Sequence, residues 1–134
     1  MGKSWLSCLS FILVSLSFST SVAGQVLSNK KLTVSIGNQQ SWTGRNGTGN
    51  LSYYGCDYSQ DQCIYLTGGT VTCRNGICST TWKNKNYTYV LSSPLTAANE
   101  RGKPSSTLIV YSDSKVILET KLLPLPFDNI NYSQ

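Results

Sequence analysis

Histidine is absent from this chain of 134 residues, and methionine occurs once, at the start. Without histidine there is no imidazole base, no imidazole metal ligand and no Ser-His or Cys-His nucleophile pair. Charge is scarce as well. Only 13% of residues are charged against 40% hydrophobic, which excludes a disordered acidic tail. Beyond the first two dozen residues no long apolar run occurs, so the body of the chain is not a membrane helix bundle. No long amphipathic helical period and no internal repeat is visible. The length supports one domain.

The first residues form a unit of their own. Met1, Gly2, Lys3 and Ser4 make a short basic start, Trp5 to Phe18 an apolar stretch loosened by serines, and 19–24 a small polar end. That order matches a secretory signal peptide, with Ser21 and Ala23 placing cleavage after residue 23. The expected product is secreted, extracellular or periplasmic, without a membrane span. Removing 1–23 takes away Lys3 and Cys8, leaving 11 − 1 = 10 basic and 6 acidic residues, net +4, and 5 − 1 = 4 cysteines. An even number of cysteines in an exported chain reads as disulfides. The expected division is a signal peptide over 1–23, a β domain over 24–121 and an extended tail over 122–134.

From Cys63 to Leu91 short apolar-alternating runs are separated by turn residues, giving an expected four-stranded antiparallel meander. The turns are Gly68-Gly69, Asn75-Gly76 and Asn84-Lys85. Asn-Gly suits a type I′ hairpin, in which both central residues take positive φ. Counting outward from two-residue loops sets Leu66 opposite Val71, Ile64 and Cys78 opposite Cys73, Trp82 opposite Tyr87, and Thr80 opposite Tyr89. One face then collects Ile64, Leu66, Val71, Cys73, Cys78, Thr80, Trp82, Tyr87, Tyr89 and Leu91, while the other is mostly threonine, serine and lysine. The same counting makes Cys73 and Cys78 a non-hydrogen-bonded pair close enough to bridge. Cys56 and Cys63 are then left to close the short loop between them, although crossed pairings stay open on sequence grounds.

Residues 31–36, 50–54, 107–111 and 116–120 read as further strands. The last two flank Asp113-Ser114 and are apolar on both faces, which suits strands covered on two sides. The class is all-β, a small antiparallel barrel or sandwich of seven to nine strands.

Each candidate site has a structural and a functional reading. Trp82, Tyr87 and Tyr89 could stack on sugar rings, but their aliphatic neighbours favour a core. Trp42 lies in a Gly/Asn-rich loop beside Arg45, where no period requires burial. It is a binding residue or a loop anchor. Arg74, Lys83 and Lys85, with Arg101 and Lys103 on a second loop, suggest an anionic polysaccharide or an acidic surface protein as partner, or else a solvated edge. Nucleic acid is disfavoured, since no basic run of five residues exists. Asp57 to Asp61 lacks the glycine and the bidentate glutamate of a calcium loop. The pattern implies no metal, no cofactor and no enzyme. Asn46, Asn50, Asn86 and Asn131 open glycosylation sequons.

An exported, basic, disulfide-bearing β-meander resembles, in overall plan, the periplasmic β-barrel inhibitors of the C-type lysozyme inhibitor family. That likeness implies a barrel with an inhibitory role. The family's Ser-Gly-x-x-Tyr loop has no counterpart here, the nearest segment being Ser92-Ser93-Pro94-Leu95. Its cysteines also do not cluster in one hairpin as Cys73 and Cys78 do, so no residue is carried over. Two readings follow from the residues. One is a binding module presenting the Trp42 loop and the Arg74, Lys83 and Lys85 edge to a carbohydrate or protein at the cell surface. The other is a structural envelope or matrix component without a discrete site.

Overall fold

Alternation of apolar with serine and threonine residues gives each strand one dry face, and eight such strands bury those faces by curling around one another. The computed structural model describes residues 25–95 and 105–125. The strands are β1 (Gln25–Ser28), β2 (Leu32–Gly37), β3 (Thr48–Asp57), β4 (Gln62–Arg74), β5 (Ile77–Asn84), β6 (Tyr87–Pro94), β7 (Ser106–Ser112) and β8 (Lys115–Pro124). Each pairs antiparallel with the next, and β8 returns to β1 to close a barrel. The closure is short, with Leu27 opposite Pro124 and Ser28 opposite Leu123. Of the two all-β architectures expected from the sequence, barrel or sandwich, the described residues form the barrel, with eight strands.

The interior is filled by Leu27, Val34, Ile36, Leu51, Tyr53, Leu66, Val71, Trp82, Leu91, Leu108, Val110 and Leu122. Outward positions carry Thr33, Ser35, Ser79, Thr81, Lys83, Thr107 and Lys121. This is the reverse of a membrane-spanning barrel, whose outer face is an apolar band around a polar lumen. No helix among the described residues is long and apolar enough to cross a membrane.

Two turns differ from the sequence expectation. Gly68-Gly69 is not a hairpin: β4 runs through it, so 62–94 contributes three meander strands instead of four. Gly68 takes φ 77° and sits in an irregular stretch of pairing in which Tyr53 faces Leu66, Leu51 faces Gly69 and Thr48 faces Val71. That irregularity moves the inward positions from Leu66 to Gly69 and Val71, keeping both halves of β4 on the barrel interior. The β5–β6 turn falls on Lys85 and Asn86, so Trp82 faces Tyr89 and Thr80 faces Leu91. Strand β8 also continues past residue 121, and Leu122 is fully buried rather than the start of a tail.

Other expectations hold. Asn75 and Gly76 both take positive φ (52° and 77°), and Cys73 faces Cys78 across their turn. The disulfides are Cys73–Cys78 and Cys56–Cys63, each with Cα atoms 4.0 Å apart. Two such bridges fit maturation in an oxidising compartment. The expected signal peptide, Arg101, Lys103, Asn131 and most of the expected tail lie outside the described residues.

Candidate functional site

The two ends of the barrel differ. At one end the β2–β3 connection, residues 38–47, folds inward over the core. Trp42 is half-buried and packs on the core cluster, and its Nε1 donates to the Arg45 carbonyl at 3.2 Å. Asn46 fixes the loop to β4: its Oδ1 accepts from the Cys73 amide at 2.9 Å and its Nδ2 donates to the Cys73 carbonyl at 3.3 Å. Ser41 Oγ accepts from the Asn50 amide at 2.8 Å. This end is capped.

The other end is open, because β1 is four residues long while β8 is ten. Between β1 and the first half of β8 the barrel wall has no continuous ladder. Asn29 stitches the gap, donating from Nδ2 to Thr120 Oγ1 (2.8 Å) and to the Lys121 carbonyl (3.1 Å). Beyond that stitch Val116, Ile117 and Leu118 stand 47%, 53% and 39% exposed. They were read from sequence as covered on both faces, but β8 overhangs its partner here and leaves them at the rim.

The resulting mouth is a cavity of about 750 Å³. Leu32, Ile64, Val110, Ile117 and Leu118 supply its apolar lining, Tyr53 and Tyr89 its aromatic floor, and Asp57, Asp61, Gln60 and Gln62 its polar rim. Its size suits a small organic ligand.

Tyr53 is 2% exposed, with its ring centroid 5.2 Å from that of Trp82 and 5.5 Å from that of Tyr89. Two residues on, Gly55 lacks the Cβ that would lie 2.6 Å from both Cε1 and Oη of Tyr53. The ring therefore leans along β3 over Gly55, carrying its hydroxyl toward the mouth. Burial, and then the neighbouring Tyr89, push the Tyr53 phenol above its ordinary value. Tyr89 is raised as well, by burial and then by Tyr87. On the rim the Ser59 hydroxyl is the main influence holding the Asp57 carboxyl below its ordinary value, aided by the amides of Ser59 and Gln60. Among the described residues no three cysteine or carboxylate side chains converge as metal ligands would.

The sequence-chosen residues are dispersed around this site. Arg45 and Arg74 are exposed at the capped end, whereas Lys83 and Lys85 are exposed at the open end. Ile77, which faces Arg74, and Lys83 are separated by six residues along β5, about 20 Å. Arg74, Lys83 and Lys85 thus form no single basic edge. Trp82 is fully buried core, Tyr89 lines the cavity and Tyr87 is exposed. Sequence reasoning missed Leu32, Tyr53, Ile117 and Leu118 as lining residues. The doubly apolar run 116–118 was the available sign. Compared with protein-family models, curated proteins and solved structures, the chain gives no match.

Proposed function

We propose that this chain is a small exported binding domain that holds an uncharged, mainly apolar small molecule in the open end of its barrel. The observation that carries this reading is the asymmetry of the two ends. Trp42 and its loop cover one, while the other exposes a continuous apolar lining from Leu32 and Ile64 to Ile117 and Leu118. A small barrel gains stability by filling its interior with side chains, and an apolar concavity of this size at one end supports a ligand-binding role there. The two local disulfides support the exported reading.

Titration of the oxidised protein with the neutral fluorophore N-phenyl-1-naphthylamine tests this. Saturable binding at one equivalent is expected, weakened at least tenfold in Leu118→Glu, which puts a charge in the lining. Absence of saturable binding by the unaltered protein would remove the reading. Arg45 and Arg74, exposed at the same end as Trp42, support a second reading, contact of the capped end with an acidic polysaccharide or surface protein. Salt-sensitive heparin retention lost in Arg45→Ala/Arg74→Ala would favour it.

A further inference from the structure

We propose that Tyr53 is the polar anchor of the mouth, its hydroxyl donating one hydrogen bond to a carbonyl or ether oxygen of an otherwise apolar ligand. This rests on the ligand-binding reading of the cavity and adds the chemical class of the ligand. Tyr53 is 98% buried by its 2% exposure, it lines the cavity, and its hydroxyl has no hydrogen-bond partner among the described residues. No fully buried side-chain polar atom among the described residues is left without a partner, so this hydroxyl is open at the cavity surface. By contrast, the adjacent indole is satisfied, with Trp82 Nε1 donating to the Leu51 carbonyl at 2.9 Å. A phenolic O–H open to an otherwise apolar cavity is placed to donate to a bound acceptor, and the missing side chain at Gly55 leaves room for the ring and its hydroxyl.

The surroundings select the partner. A phenolic O–H donates readily to a carbonyl oxygen. A carboxylate ligand would have to pass Asp57 and Asp61 at the rim, and an ammonium group would sit among Leu32, Ile64 and Val110 without a counter-charge. A neutral ligand bearing one acceptor meets neither penalty.

The test compares 1-acetonaphthone with 1-ethylnaphthalene, which share a ring system but differ in the acceptor oxygen, by calorimetric titration of the oxidised protein. The ketone is expected to bind about tenfold more tightly, the size of one well-made buried hydrogen bond. In Tyr53→Phe that preference should vanish while 1-ethylnaphthalene binds as before, which also shows that the variant site is intact. An independent measurement needs no variant: the carbonyl stretch of bound 1-acetonaphthone should lie below its position in hexane. Equal binding of the two probes, a preference that survives Tyr53→Phe, or an unshifted carbonyl stretch would overturn the anchor and leave the cavity standing. Failure of both probes to bind would overturn the cavity reading and the anchor with it.

Discussion

At the scale of single residues, Tyr53 and Gly55 constrain one another. They are successive inward positions on β3, and the phenol occupies the volume that a side chain at 55 would take. Gly55→Ala is therefore expected to destabilise the fold by about 1–3 kcal/mol through overpacking, as read by urea denaturation. Tyr53→Phe should change stability by less than about 1 kcal/mol near neutral pH, because the hydroxyl it removes has no hydrogen-bond partner among the described residues. Alkaline conditions should separate the two proteins. The folded state raises the Tyr53 phenol above its ordinary value of 10.0, so it retains a proton that the unfolded chain releases. That contribution is complete below pH 10 and is lost as pH rises beyond it. Denaturation midpoints should thus fall more steeply above pH 10 in the unaltered protein than in Tyr53→Phe, with Tyr89 contributing a residual slope of the same sign. Parallel slopes would contradict the burial assigned to Tyr53. Nothing in the sequence singled out this tyrosine, because its importance depends on the gap beside it and on Trp82 arriving from two strands away.

At the scale of elements, the sequence was informative about faces and less so about partners. Leu66 and Val71 do share the dry face, but a two-residue hairpin and a single-residue bulge both shift the odd–even phase of a strand. The pattern around Gly68 is therefore compatible with either. The structure uses the bulge, and β4 runs on unbroken, pairing with β3 over residues 62–71 and with β5 over 70–74. The turn after β5 shows the same ambiguity. Moving it from 84–85 to 85–86 shifts every cross-strand partner by two residues while leaving every side chain on its expected face. Cys73–Cys78 was recoverable because the Asn75-Gly76 turn allows little choice. Strand β8 was underestimated: its last residues look like a proline-bounded tail, yet Leu122 is fully buried and the adjoining Leu123 and Pro124 close the barrel on β1. Leu122→Ala should accordingly cost about 2–5 kcal/mol, measurable as a lowered denaturation midpoint. A change within about 0.5 kcal/mol, typical of surface positions, would show that the closure contributes little.

At the scale of the whole molecule, the barrel has one end narrowed by a packed loop and one wider, open end, with cavities of about 290 and 750 Å³, and the proposed function rests on that difference. Fold class was legible because alternation and turn chemistry act over a few residues. The site was not, because it arises from unequal strand lengths at the point where the chain closes on itself. Trp42 illustrates the limit: its loop looked equally suited to binding and to anchoring, and only the tertiary structure shows its indole packed on the core. The most direct test of the account maps amide chemical shifts of the isotope-labelled, oxidised protein during titration with N-phenyl-1-naphthylamine. Saturable changes are expected at Leu32, Gly55, Ile64, Ile117 and Leu118, with the amides of Trp42 and Arg74 unmoved. Changes centred on the Trp42 loop, or no saturable change anywhere, would contradict ligand binding at the open end.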